Sequence, residues 1–108
     1  MKYKITHYAN FGNYYVVVFE INGYYVYITC YKGENNDFVG SETSAIFKRL
    51  SAINSRFNLI PYSKEQEYGE LINNLVAFAE KQLALKYPEI MDEINFYIEK
   101  EMNQLKML

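Results

Sequence analysis

Apolar residues alternate along the first third of the chain and recur every three or four residues along its C-terminal half. The clearest alternation lies between Asn13 and Lys32, where two β-branched and aromatic runs flank Asn22-Gly23. A two-residue Asn-Gly connection between such runs predicts a β-hairpin, because a type I′ turn needs two residues that tolerate positive φ. The short loop also sets the register. One face then carries Tyr15, Val17, Phe19 and Ile21 opposite Cys30, Ile28, Val26 and Tyr24, which is apolar throughout and reads as the core face. The other face carries Tyr14, Val16, Val18 and Glu20 opposite Tyr31, Thr29, Tyr27 and Tyr25. A solvated sheet face is usually richer in Lys, Glu and Thr. Two readings fit: the chain covers both faces, with tyrosine serving as a strand former, or Tyr14, Tyr25, Tyr27 and Tyr31 form a contact platform for a partner.

Lys2 to Tyr8 alternates as a preceding strand, with Tyr3, Ile5 and His7 on one side and Lys2, Lys4 and Thr6 on the other. Ala9–Asn13 reads as its loop. Setting Ile5 against Val17, Tyr3 by Phe19 and His7 by Tyr15 makes a three-stranded antiparallel meander. Gly33–Asp37 is a second loop, and Phe38-Val39 is either a fourth, short edge strand or a plug.

Three helices are then expected. The first begins near Ser41 or Thr43 as N-cap and carries the stripe Ile46, Leu50, Ile53 and Phe57. Asn58–Tyr62 breaks it at Pro61. Ser63 with Gln66 forms a capping box for the second helix, striped by Tyr68, Leu71, Ile72, Leu75, Val76, Ala79 and Leu83. Pro88 ends or kinks that helix and suits the first turn of a third, in which Ile90, Met91, Ile94, Ile98, Met102 and Leu105 recur. A sheet over residues 1–40 followed by helices over 41–108 is an α+β arrangement in a single domain.

The chain has 108 residues, enough to bury a core without disulfides or metal. No apolar run approaches the roughly 18 residues of a membrane span, and MKYKITHY has no apolar signal-peptide core. The lone Cys30 leaves no internal disulfide, so a cytoplasmic location is expected. The formal charge of −2 divides unevenly: residues 1–62 hold six Lys/Arg against four Asp/Glu, and residues 63–108 hold five against nine. Neither half is the basic footprint of a nucleic-acid binder. Phe, Tyr, Met, Ile, Asn and Lys supply 53 of the 108 residues, and Gly, Ala, Arg and Pro only 15, a codon bias that points to a low-GC bacterium or to a phage or mobile element within one.

Candidate chemistry is sparse. A nucleophile needs a base beside it, yet the sole histidine, His7, and Cys30 flank Tyr15 two inter-strand steps apart, about 10 Å. One histidine and one cysteine do not make a zinc site. Glu89, Asp92 and Glu93, like Glu65, Glu67 and Glu70, read as solvated helix starts. The glycines at 12, 23, 33, 40 and 69 form no phosphate-binding loop. No catalytic, metal or cofactor residues are assigned. Lys48, Arg49 and Arg56 add a small basic cluster, and Lys2, Lys4 and Lys32 lie near the tyrosine face.

These observations lead to a small non-enzymatic protein that binds another protein. It is placed on a phage or mobile element as an inhibitor of a host system, for example an anti-defence protein acting on a CRISPR nuclease. Two alternatives stand beside it: a homo-oligomer joined through the tyrosine-rich face, and a weak single-stranded nucleic-acid binder that stacks bases there.

Overall fold

A computed structural model describes residues 1–106; Met107 and Leu108, the end of the expected helical half, lie outside the described residues. Five antiparallel strands form one sheet: β1 (Lys4–Asn10), β2 (Tyr14–Ile21), β3 (Tyr24–Lys32), β4 (Phe38–Thr43) and β5 (Ile60–Pro61), in the order β4-β3-β2-β1-β5. The central hairpin follows its turn chemistry. Asn22 and Gly23 take φ of 52° and 81°, and every pair from Tyr14–Tyr31 to Ile21–Tyr24 has the register a two-residue loop dictates.

The first strand departs from expectation. Ile5 faces Phe19, and then a β-bulge at Thr6 shifts the pairing to His7–Val18, Tyr8–Val17 and Ala9–Val16. The extra residue exchanges the two faces from there on. Tyr8 consequently joins Tyr3 on the core side, Ala9 is buried on the other, and the expected pairings of Ile5 with Val17 and His7 with Tyr15 do not form. Next to the bulge, the Thr6 carbonyl accepts the Tyr62 N–H at 3.0 Å, and the outer side of β1 takes β5.

The fourth strand is real and longer than Phe38-Val39. It continues through Thr43, so Ser41 and Thr43 pair with Cys30 and Ile28 and do not cap a helix. A second register shift, between Tyr31 and Lys32, leaves Val39 unpaired and 73% exposed.

Among the described residues, two helices form in place of three. The first, α1, is only Leu50–Asn54, preceded by extended Arg49. Leu50, Ile53 and Phe57 of the expected stripe do pack together, but Ile46 lies in the extended stretch before α1 and packs on the opposite side of the sheet. The expected capping box does not form: the Ser63 hydroxyl accepts the Glu65 N–H at 3.3 Å, the Gln66 N–H donates to the Ser63 carbonyl at 3.3 Å, and the helix begins only at Glu70. The expected second and third helices are one, α2 (Glu70–Lys106), with Pro88 inside it. An interior proline costs about 3 kcal/mol. Two features make it tolerable here: Pro88 and Ala84, whose carbonyl loses its donor, are both exposed to water, and Leu83, Ile90 and Ile94 on either side are buried. Burying such side chains contributes about 1.5–3 kcal/mol each.

The sheet has a separate apolar cluster on each face. Against the first face, α2 packs Leu75, Ala79, Leu83, Ile90 and Ile94 onto Tyr15, Val17, Phe19, Val26, Ile28 and Cys30. Tyr3 donates a hydrogen bond to the Glu80 carboxylate, which ties the start of the chain to α2. Against the second face, residues 44–59 lay Phe47, Leu50, Ile53 and Phe57 over Val16, Val18 and Ala9. At about 1.5 Å per residue, 37 helical residues span about 55 Å, matching the longest molecular dimension of 54 Å. Among the described residues, no helix is long and apolar enough to cross a membrane.

Candidate contact surface

The β2–β3 register puts Tyr14, Tyr25, Tyr27 and Tyr31 on one face of the sheet, but the chain then divides them into two pairs. Tyr25 and Tyr27 lie under the 44–59 segment. Phe47 exchanges two backbone hydrogen bonds of 2.7 Å with Tyr25, forming a bridge beyond the end of β4. Its ring stacks on Tyr27 at 5.9 Å, and Phe57 meets Tyr27 edge-on at 5.0 Å. The Tyr25 hydroxyl donates to Glu20 at 3.2 Å, and its pKa is pushed up by desolvation and by that carboxylate.

Tyr14 and Tyr31, at the other end of the face, are not covered in this way. Their rings are 6.3 Å apart. Phe11, from the β1–β2 loop, stacks on Tyr14 at 4.8 Å and meets Phe57 edge-on at 5.6 Å. Phe11 and Tyr31 are each 38% exposed. Desolvation and the neighbouring Glu42 carboxylate push the Tyr31 pKa up. The result is a continuous aromatic patch of Phe11, Tyr14 and Tyr31, with a carboxylate at its β4 side and Phe57 anchoring its other end. Phe11 was missed at the level of sequence because it falls in a loop. Its signal was an aromatic ring among turn-forming Asn10, Gly12 and Asn13, where Gly12 has φ of 85° and its N–H donates to the Asn10 side chain at 2.8 Å.

The remaining candidates are dispersed. The bulge turns His7 to the Val18 side of the sheet, while Cys30 is buried beneath α2, so the sheet separates them. Burial pushes the Cys30 thiol up to about 12, and its Sγ lies 3.8 Å from the Ile28 carbonyl. Burial lowers the His7 pKa, and its Nδ1 is enclosed without a hydrogen-bond partner among the described residues. Glu89, Asp92 and Glu93 lie in the middle of α2 and do not start a helix. The Lys48, Arg49 and Arg56 cluster is divided: Lys48 pairs with Glu101, while Arg56 lies over the Phe47 ring at 5.2 Å. Among the described residues, no three His, Cys, Asp or Glu side chains are grouped as a metal set.

Comparison with known proteins finds no matching family model, no similar curated protein and no similar solved structure.

Proposed function

We propose that this protein acts by binding another protein through the Phe11–Tyr14–Tyr31 patch. The observation that carries the reading is the exposure of Phe11 and Tyr31 in one continuous aromatic patch, while Tyr25 and Tyr27 on the same face are covered by the chain. Aromatic rings with low side-chain entropy are the usual anchors of protein interfaces. Glu42 beside Tyr31 gives the patch a preference: an apolar partner surface bearing an arginine or lysine satisfies both the ring faces and the carboxylate. The same carboxylate opposes a phosphate backbone, so single-stranded nucleic acid is the weaker reading. Size and codon bias extend the proposal to an inhibitor of a host system carried by a phage or mobile element, a CRISPR nuclease being one example.

Affinity capture from a low-GC bacterial lysate, with and without nuclease treatment, tests this reading. A protein retained stoichiometrically after nuclease, and lost with Tyr31→Lys or Phe11→Ser variants that fold normally, supports it. Retention unaffected by both substitutions removes the patch from the account. Capture of nucleic acid alone, abolished by salt, replaces the reading with base stacking.

A further inference from the structure

The two edges of the sheet are treated differently. β5 is two residues long and ends in Pro61, the kind of short, proline-bearing edge that resists further pairing. β4 is six residues long, contains no proline and carries one charge, Glu42; the irregularity at Val39 interrupts it near its start and leaves Gly40–Thr43 as the regular part of the edge. Its outer hydrogen-bonding groups can be identified. The Ser44 N–H donates to the Tyr27 carbonyl at 2.9 Å, so alternation directs Gly40 and Glu42 toward β3, and the N–H and C=O of Ser41 and Thr43 outward.

We infer that the β4 edge, together with the flank of α2 above it, is a homodimer surface that pairs with β4 of a second copy about a twofold axis at Ser41. Three independent features specify a second copy as the occupant. The first is the seat of α2, which approaches β3 and β4 most closely and reaches β2 through its buried side chains. A helix seated between the β3–β4 midline and β3 is about 5–7 Å from an axis half a strand spacing outside β4. Its symmetry mate is then about 10–14 Å away, the lower value being the spacing of two packed helices. The joined sheets thus bring the two helices side by side without a clash, close enough for long side chains on the facing flanks to meet.

The second feature is apolar exposure at the axis. Ser41 Oγ donates to Gln82 Oε1 at 2.8 Å, which fixes the helical turn that faces the axis. Leu85, one turn beyond Gln82 and two turns beyond Phe78, projects from that flank and is 73% exposed; Val39 at the same edge is also 73% exposed. The third feature is charge. The helices α2 run antiparallel about the twofold, so with Leu85, one turn beyond Gln82, at the axis, a residue one turn before it meets the residue one turn after it on the partner. Lys81 precedes Leu85 by four and Glu89 follows it by four. Each lines a cleft between β4 and α2, Lys81 beside Phe38 and Val39, Glu89 beside Ser41 and Thr43. Two Lys81–Glu89 pairs therefore flank the Leu85 contact, and on the opposite face of the sheet Glu42 falls across from Gly40 of the partner, away from its own counterpart.

Sedimentation velocity of the full chain from micromolar to millimolar concentration tests the inference, with circular dichroism to verify folding. A reversible dimer is expected. Leu85→Lys, at an exposed position, should raise the dissociation constant about tenfold or more, with an unchanged melting temperature at concentrations where the wild type is monomeric. Lys81→Glu and Glu89→Lys should each weaken the dimer, and the doubly exchanged variant should restore it, which a merely structural effect would not do. A monomer throughout overturns the proposal, as does a dimer indifferent to Leu85→Lys. A dimer lost on Tyr31→Lys but kept with Leu85→Lys moves self-association to the aromatic patch and overturns the β4 assignment.

Discussion

Tyr27 and Tyr31 differ by four positions in one strand and share a sheet face, yet replacing each by alanine should have different consequences. Tyr27 is wedged between the Phe47 and Phe57 rings at 5.9 and 5.0 Å, over buried Val16 and Val18. Truncation exposes the underside of the 44–59 segment and removes two aromatic pairs, each contributing about 0.5–1.5 kcal/mol beyond its area. If the ring buries on the order of 100 Å², the transfer loss is about 2.5 kcal/mol at 25 cal/mol per Å², an upper bound because the unfolded chain already buries part of it. Tyr27→Ala should therefore cost about 3 kcal/mol. Tyr31 is 38% exposed and touches Tyr14 at a tilt of 47°, so Tyr31→Ala should cost less than about 1 kcal/mol. Urea unfolding monitored by circular dichroism separates the two. With a slope near 1.5 kcal/mol/M, the Tyr27 variant loses about 2 M in midpoint, and the Tyr31 variant well under 1 M. Equal losses would refute the division of the tyrosine face into a covered and an accessible half.

Pro88→Ala should stabilise the protein by about 1–3 kcal/mol, since it restores a donor for the Ala84 carbonyl at an exposed site and disturbs no buried contact; an unchanged or lower melting temperature would show that the packing of α2 depends on the proline. Cys30 is fully buried and its thiol is pushed up to about 12 by burial, so at pH 8 it should react with a thiol reagent only as fast as the protein opens. Rapid labelling of the native protein, at the rate seen in denaturant, would contradict its position beneath α2.

What could be read from the sequence was local. Asn22-Gly23 dictates its own turn, and that turn dictates all eight β2–β3 pairs, which is why the grouping of Tyr14 with Tyr31 was legible. A bulge leaves no such mark. Tyr3, Ile5 and His7 alternate in sequence whether or not Thr6 inserts an extra residue, and only contacts with distant Phe19 and Tyr62 decide the matter. Ile46, Leu50, Ile53 and Phe57 have helical spacing, yet backbone pairing of Phe47 with Tyr25 holds the preceding stretch extended and sends Ile46 to the other side of the sheet. The covering of Tyr25 and Tyr27 by residues 44–59 has the same long-range origin. Pro88 misleads in the opposite direction, because its local penalty is offset by a buried stripe that continues on both sides.

The aromatic patch and the β4 edge occupy opposite faces of the same region, and the sheet couples them. Tyr31 pairs with Gly40, one residue from the proposed axis at Ser41. A twofold perpendicular to the sheet keeps both copies of α2 on one face and both aromatic patches on the other. The two Tyr31 residues then lie on strands β3 separated by three inter-strand steps, about 14 Å. At that spacing a single partner surface can meet both patches at once, so dimerisation would strengthen weak individual contacts by raising the effective concentration of the second. Two small aromatic patches would thereby act as one.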